Sequence, residues 1–463
     1  MRGLNLGLCL SKGSTGFSLP SLSGTQKIII IGDSLTQRNN TMTTTKSLSR
    51  ADGYFYWASR DIPSLKTGIW YDATATSGAA PPLFRGFNFG ISGEAADDVA
   101  ARTTPIINYG APVAILLCGT NTGDDNSSFS AKTTSIQSIL DDLTSNGYFV
   151  ILGTIWPRTV SETPTGSEIS TAYRDTLLQV NDWIRGKESN SIAIWDPVED
   201  LIDTQYSPGD TLYFNPKSGV LEDGVHPTTM GAYSAAITLR PILQSIFDNS
   251  NQYTDAWFNS LTNLITNGTL TGSSGFGQNG VSGSVPTNFV SKFVVSDADV
   301  SAVATNEANS DTSGQSHKVV ITCGGNGSST AVHTYQLQPL AGIVNEGGIS
   351  NGDYVRYFAK IRIRNNTDGL IGAAQLRLFN QTQSRNDYMF EATATTQQDE
   401  PFPTGDFDIW LQTQPTEYTT NDIYQPILNL SIFKNVSGTV DLYIDKVQLS
   451  VVGDPETEFP YTT

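Results

Sequence analysis

Residues 28–35 read Ile-Ile-Ile-Ile-Gly-Asp-Ser-Leu, and this stretch decides the fold of the first half of the chain. A run of four apolar residues that stops at Gly-Asp is typical of a buried central strand in a parallel sheet. Gly32 permits a sharp turn, which places Ser34 at the carboxyl end of the strand, where open α/β sheets bind their ligands. The simpler interpretation is that Asp33 or Ser34 only caps the next helix.

A serine nucleophile needs a general base, and histidine is the usual one near neutral pH. The chain has only three histidines, and two of them, His317 and His333, lie in a later region of different composition. The third, His226, belongs to the run Asp-Gly-Val-His-Pro at residues 223–227 and is therefore the predicted base. Asp223 could accept a hydrogen bond from its ring and fix the tautomer. The alternative is that Asp223 caps a helix and His226 is an ordinary surface residue.

Two further segments end strand-like runs and offer hydrogen-bond donors for an oxyanion. Residues 88–94 read Asn-Phe-Gly-Ile-Ser-Gly-Glu, and Gly93 can turn its backbone N–H into a site without a side chain in the way. The buried run at residues 114–118 is followed by Gly-Thr-Asn, so Asn121 would present its amide at the same edge as the serine. Each has a simpler interpretation, Gly93 as a turn glycine and Asn121 as a strand-end cap.

Together the four segments resemble the SGNH hydrolases, also called the GDSL esterase/lipase family, whose four blocks carry Ser, Gly, Asn and His in this order. The resemblance covers residues 27–248, about half the chain. It implies a role for each of five residues: the nucleophile Ser34, whose own N–H joins the oxyanion hole, the other oxyanion donors Gly93 and Asn121, the base His226 and its orienting carboxylate Asp223. Thr122 departs from the family pattern, which usually has an acidic structural support after the asparagine.

The composition narrows the class of protein and its partners. A net charge of −18 and a pI near 4.5 argue against nucleic acid or an anionic membrane surface as a partner. Only 16% of residues are charged and 42 are glycine, which suits an extracellular or virion-associated, β-rich protein. No apolar run is long enough for a membrane span, and the N-terminus is too polar for a convincing signal peptide. The cysteines at 9, 118 and 323 are too far apart to suggest metal ligands, so we predict no metal and no cofactor.

The chain divides into four predicted parts: an N-terminal arm at 1–26, a hydrolase domain at 27–248, a helical linker at 249–265 and a β-sandwich at 266–463. In the second part strand-like and helix-like pieces alternate, which predicts a three-layer α/β/α fold around a parallel sheet. Pro227 suits the first position of the helix that closes this domain.

Short alternating segments in the last part predict an all-β sandwich. Its two ends resemble jelly-roll carbohydrate-binding modules. Three aromatic residues are candidate sugar contacts, although each is as easily a core residue: Tyr335, Tyr388 and Trp410. The loop at residues 156–158, Trp-Pro-Arg, falls on the catalytic edge, where Trp156 either lines an acyl pocket or belongs to the core.

These observations predict a serine esterase that removes short acyl groups, O-acetyl above all, from a polysaccharide or another glycan ester. The Gly/Ser-rich arm suggests attachment to other virion or cell-surface proteins, as in phage tail proteins that deacetylate surface glycans. The oligomeric state is left open, with a homo-oligomer among the possibilities. The alternative is a virion or adhesin structural protein whose sandwich binds glycan and whose esterase domain is vestigial. Long-chain lipase action is a third possibility, but no long apolar lid segment supports it.

Overall fold

The computed structural model describes most of the chain. The described residues are 19–22, 26–39, 47–48, 53–59, 62, 65–66, 87–121, 128–159, 169–205, 207, 210, 213–247, 262–309, 314–328, 331–341, 349–391, 402–413, 416–419 and 422–452. Thr122 and most of the N-terminal arm lie outside these ranges, as do the predicted linker residues 249–261.

The first half of the chain contains a parallel sheet with helices between its strands. The sheet has the order β3-β1-β5-β6-β7, with β4 also paired to β1. Its strands are β1 (Gln26–Gly32), β3 (Leu65–Lys66), β4 (Asn88–Gly90), β5 (Val113–Leu117), β6 (Phe149–Gly153) and β7 (Ile192–Trp195). The helices are α1 (Ser34–Gln37), α2 (Tyr54–Ser59), α3 (Ala96–Ala101), α4 (Thr103–Asn108), α5 (Phe129–Ser145), α6 (Thr171–Arg185), α7 (Val198–Leu201) and α8 (Thr229–Ile246).

The four isoleucines of β1 divide between the two faces of this sheet, because successive side chains of a strand point in opposite directions. Ile28 and Ile30 join a core that includes the apolar stripe of α8. Ile29 and Ile31 join a second core that includes the apolar stripes of α5 and α6. Helices therefore cover both faces, and the predicted three-layer α/β/α fold is confirmed.

The second half forms two mainly antiparallel sheets that share one core, and the short strand β2 of the first half adds to the edge of one of them, parallel to β16. The first has the order β2-β16-β15-β19-β13-β10-β8, and the second the order β17-β14-β20-β12-β11-β9 with β18 on β14. Their strands are β2 (Ser47–Leu48), β8 (Ser274–Gln278), β9 (Val281–Gly283), β10 (Val285–Phe293), β11 (Val300–Ala308), β12 (Gln315–Gly324), β13 (Val332–Pro339), β14 (Tyr354–Asn366), β15 (Ile371–Asn380), β16 (Arg385–Glu391), β17 (Gly405–Gln412), β18 (Thr416–Glu417), β19 (Tyr424–Phe433) and β20 (Ser437–Val452). The predicted β-sandwich is confirmed.

Three predictions of detail need correction or qualification. The last four residues of the predicted linker, 262–265, are not helical; the backbone N–H of Leu264 donates to Leu449 of β20. Pro227 does not begin α8, because the hydroxyl of Thr228 accepts the N–H of Gly231 and makes Thr228 the N-cap. Tyr335 is fully buried and so belongs to the core rather than to a sugar-binding surface. The side chains of Tyr388 and Trp410 lie outside the described residues.

The two halves pack against each other through aromatic rings around Trp57 of α2. The Trp57 ring lies 5.5 Å from the ring of Phe402 and 6.1 Å from that of Phe407, both in the sandwich, and 5.4 Å from Tyr233 of α8. Trp57 is fully buried, and the hydrophobic core continues from α8 into the sandwich. Among the described helices, none combines the length and the apolar character that a membrane crossing requires.

We expect Trp57→Ala to destabilise the protein by about 3–5 kcal/mol, the usual cost of removing a buried aromatic side chain. The loss would leave a cavity between the two halves, and it is measured as a fall in the midpoint of thermal or urea unfolding. Phe129→Ala is the matched control, because Phe129 is 37% exposed. Equal effects of the two substitutions would show that the Trp57 cluster does not hold the halves together.

Candidate active site

The strand register brings the four sequence blocks to one edge of the parallel sheet. Gly32, the last residue of β1, pairs with Gly90 at the end of β4 on one side and with Leu117 at the end of β5 on the other. Ser34, Gly93 and Asn121 follow these three strand ends within four residues. Since the chain crosses from β4 to β5 over β1, this is the point where the strand order reverses and α/β proteins bind ligands.

Gly32 is required where it stands because a Cβ there would lie 1.9 Å from the carbonyl oxygen of Leu117. The chain turns directly into α1, whose N-cap is Asp33, with one carboxylate oxygen accepting the Leu35 N–H at 3.0 Å. Asp33 therefore does cap a helix, as the simpler interpretation held, and it also delivers Ser34 as the first helical residue. Ser34 is 5% exposed.

Ser34, His226 and Asp223 form an unbroken hydrogen-bonded series. Nε2 of His226 lies 2.9 Å from Oγ of Ser34, and Nδ1 of the same ring lies 2.6 Å from Oδ2 of Asp223. With Nδ1–H donating to the carboxylate, Nε2 carries the lone pair that can accept the serine proton. His226 thus contacts both Ser34 and Asp223, which links three of the five predicted site residues.

Hydrogen bonds between the Asp223 carboxylate and backbone N–H groups fix the loop that carries His226. Oδ1 of Asp223 accepts the N–H groups of Val225 and His226, at 3.0 and 2.8 Å. Burial opposes ionisation of Asp223, but the hydrogen bonds from the His226 ring and from these two N–H groups outweigh it and hold its pKa below the ordinary value. Asp223 is thus a carboxylate that stays charged while it lies against the His226 ring. An ion pair between Arg38 and Glu222 ties the loop to the end of α1.

The two predicted oxyanion donors lie on loops that contact each other. Gly93 has φ of +80°, a conformation that favours glycine, and a Cβ built on it would meet no atom within 4 Å. Nδ2 of Asn121 lies 3.4 Å from the carbonyl oxygen of Glu94, the residue after Gly93. The N–H of Ser92 donates to Oε1 of Gln37 at 2.9 Å, which ties the Gly93 loop to the helix of Ser34. The structure therefore brings both donors to the edge that carries Ser34.

Arg102 links the strand ends and was not identified from the sequence. Its Nη2 donates to the carbonyl oxygens of Gly32 and Phe89, at 3.2 and 2.8 Å, and its Nε donates to Glu94 at 2.7 Å. One guanidinium thereby fixes the turn before the serine relative to the loop that contains Gly93.

A second group of donors holds the loop before Asn121. Nζ of Lys132 donates to the carbonyl oxygen of Gly119 at 3.0 Å. Nη1 of Arg158 and the hydroxyl of Tyr173 both donate to the carbonyl oxygen of Thr120, at 2.8 and 2.9 Å. Burial, followed by the charge of Arg158, lowers the pKa of Lys132 to about 8. In this chain, then, cationic and hydroxyl donors support the loop that leads to Thr122.

The role of Lys132 could have been found from the sequence. Lys132 stands on the apolar stripe of α5, in line with Ile136, Ile139 and Leu143, all of which are buried. A charged residue on such a stripe indicates a buried polar partner. Arg158 belongs to the Trp-Pro-Arg loop discussed from the sequence, but the sequence does not show that it bonds to Thr120.

The environment of Asp33 is low in dielectric. Burial raises its pKa to about 7, against the opposing effects of the Leu35 and Thr120 backbone N–H groups and the Arg158 charge.

Trp156 is 1% exposed and packs edge-on against Tyr54 and Trp195, so it belongs to the core and not to an acyl pocket.

Two other ionisable residues singled out from the sequence differ in position: His317 lies in the sandwich, whereas Cys118 directly precedes the loop of Asn121. His317 contacts Ser291 and Asn306 inside the sandwich, and burial lowers its pKa to about 3. Cys118 is buried, as expected of a small core residue.

No protein-family model matches the chain, and no curated protein matches it. Solved structures similar to its first half include a member of the lipolytic protein G-D-S-L family from Veillonella parvula, with 16% identity, 46% of this chain and 94% of that chain covered, and a TM-score of 0.32. A Geobacillus acetyl-xylooligosaccharide esterase shares 18% identity over 48% of this chain and 95% of its own, with a TM-score of 0.33.

A structure of carbohydrate-binding modules from the β-sandwich superfamily is also similar, with 15% identity, 35% of this chain and 56% of that chain covered, and a TM-score of 0.24. Proteins named for the G-D-S-L family and for carbohydrate binding are thus among the structures that this chain resembles, as its sequence predicted.

Proposed function

We propose that this chain is a serine esterase that removes short acyl groups, O-acetyl above all, from a polysaccharide. The observation that carries the proposal is the contact of His226 with both Ser34 and Asp223, at 2.9 and 2.6 Å. If Ser34 and His226 only capped helices or faced solvent, the fold would not need to bring together two residues that lie 192 positions apart in the chain.

The geometry supports acyl transfer in two halves. In the first, Ser34 Oγ attacks the ester carbonyl carbon while Nε2 of His226 takes the serine proton. The C–O bond to the alcohol then breaks, and His226 gives that proton to the departing oxygen. In the second, His226 takes a proton from water, which attacks the acyl-serine; the carboxylic acid leaves and Ser34 recovers its proton. Gly93 and Asn121 donate to the carbonyl oxygen while it carries negative charge.

The substrate class is inferred from the rest of the chain. The sandwich packs directly on the esterase half through the Trp57 cluster, and a polysaccharide is a substrate long enough to contact two adjoining parts of one protein. The net charge of −18 disfavours polyanionic partners. The division into a hydrolase domain at 27–248 and a sandwich from 266, with an attachment arm at 1–26 and an extracellular or virion-associated location, belongs to the same proposal.

Acetate release tests the proposal. We expect the wild type to hydrolyse aryl acetate faster than aryl octanoate and to release acetate from an acetylated polysaccharide, because Trp156, the aromatic candidate for lining an acyl pocket, is buried in the core. Ser34→Ala is the matched control, since it removes only the hydroxyl that contacts His226 and alters no residue of the sandwich. Acetate release that is equal in the two proteins would favour the alternative of a structural glycan-binding protein with a vestigial esterase domain.

A further inference from the structure

Three side chains that bind metals elsewhere in proteins meet at one end of the sandwich. Asp299 directly precedes β11, Cys323 lies near the end of β12 and His333 near the start of β13. Their donor atoms all lie within 4.8 Å of one another. Sγ of Cys323 is 3.8 Å from Oδ2 of Asp299, and Nε2 of His333 is 3.9 Å from the same oxygen.

The fold, and not local sequence, creates this group. Cys323 pairs with Val300, the neighbour of Asp299, in one sheet, whereas His333 pairs with Ile432 in the other. A link among the three side chains therefore joins the two sheets of the sandwich.

The imidazole of His333 places its Nε2 in this group, and that nitrogen is buried without a hydrogen bond to any described residue. His333 is 4% exposed, and within the described part of the chain its Nε2 has no hydrogen-bond partner. A buried polar atom left in this way costs free energy, and a bound ligand is one explanation for it. The other ring nitrogen, Nδ1, faces Oδ2 of Asp297 at 3.7 Å, and Lys434 holds that carboxylate at 3.0 Å.

Metal-binding histidines are oriented by a hydrogen bond from the other ring nitrogen to a carboxylate or carbonyl group. Asp297 stands on that side of His333, and at 3.7 Å it would need to move closer to accept such a bond. The carboxylate of Asp299 is also oriented: the backbone N–H of Asn326 donates to its Oδ2 at 3.2 Å, and the Asn326 side chain donates to its Oδ1.

We propose that Asp299, Cys323 and His333 bind a transition-metal ion, with Zn²⁺ as the preferred ion. In a tetrahedral zinc site, bonds of about 2.0–2.3 Å place neighbouring donors roughly 3.3–3.6 Å apart. The distances of 3.8 and 3.9 Å, and the separation of up to 4.8 Å between the remaining pair of donors, must shorten to meet this geometry. The thiol and the imidazole favour zinc over calcium and magnesium, which prefer oxygen ligands.

On binding, the S–H bond of Cys323 breaks, the proton leaves to solvent and a sulfur–zinc bond forms. Three protein ligands leave the fourth tetrahedral position to water. The ion would join β12 and β13 across the sandwich and so stabilise the sandwich, without taking part in chemistry at Ser34.

Cobalt substitution in the full-length protein tests the proposal. After removal of metals with a chelator, we expect the protein to bind one equivalent of Co²⁺ with a thiolate-to-cobalt charge-transfer band, and Zn²⁺ to displace it and abolish the band. Zn²⁺ should also raise the thermal unfolding midpoint of the wild type. The absence of the thiolate band, or of any zinc-dependent rise in the midpoint, would overturn the proposal. Metal held by Glu222, Asp223 and His226 would give no such band, because that group has no thiol.

The variants separate a ligand from a structural role. Cys323→Ser and His333→Gln should each weaken zinc binding at least about 10²-fold, whereas Asp297→Asn, one layer out, should weaken it about 10–100-fold. Cys118→Ser is the control, because Cys118 is the other buried free thiol among the described residues. Should Cys323→Ser fail to fold, Asp299→Asn keeps the side-chain shape and gives the same comparison. Wild-type affinity in both Cys323→Ser and Asp299→Asn would contradict the assignment.

Discussion

Ser34→Ala is expected to lower kcat on a short aryl ester by about 10⁴–10⁶-fold, and His226→Ala by a similar factor. The reason is that the two side chains act as one unit: the hydroxyl is a weak nucleophile until Nε2 of His226, 2.9 Å away, accepts its proton. The measurement is kcat for each variant by steady-state kinetics, with folding checked by circular dichroism.

The double variant provides the stronger test. Ser34→Ala combined with His226→Ala should cost little more than either change alone, since the second removes a base that no longer has a proton to take. Ser145→Ala serves as the control, because Ser145 is exposed and bonds only at the end of α5. Losses that multiply in the double variant, or near-normal turnover in either single one, would refute the assignment of the pair.

Asn121→Ala is expected to lower kcat by about 10²–10³-fold and to leave KM nearly unchanged. The amide of Asn121 lies beside the Gly93 loop, so its contribution should arise when the carbonyl oxygen becomes charged in the transition state and not when the substrate binds. Both kinetic constants must be measured on the same aryl ester.

Asn146→Ala is the matched control for this prediction, because Asn146 is an exposed residue at the end of α5. An increase in KM alone would make Asn121 a residue that positions the substrate. Unchanged kinetics would remove it from the site.

Much of the fold could be predicted because it depends on local pattern. Strand β1 presents isoleucine on both of its faces. A strand of this kind is buried on both sides, as it is in a parallel sheet covered by helices. The stripe on α5 and the alternation in β20 likewise report which face is buried. The helical linker predicted at 249–265 was wrong over its last four residues, since hydrogen bonds to β20 decide the conformation there, and those come from the far end of the chain.

The sequence could not predict whether an individual aromatic residue lies in the core or at a binding surface. Trp156 and Tyr335 were each consistent with a binding surface or a core, and both are buried. Composition cannot separate these outcomes, because an aromatic side chain gains from burial in either a ligand site or a core. Only the packing of other elements around each ring decides the matter.

The sequence by itself determined the alternation of strands and helices in the first half, the turn that presents Ser34 and the candidates for its partners, because these depend on residue type and on short-range geometry. The tertiary structure decided everything that joins distant segments: the contact of His226 with Ser34, the support of the Asn121 loop by Lys132 and Arg158, and the meeting of Asp299, Cys323 and His333. The physical reason is that strand register and sheet packing set these distances, and both are properties of the whole folded chain.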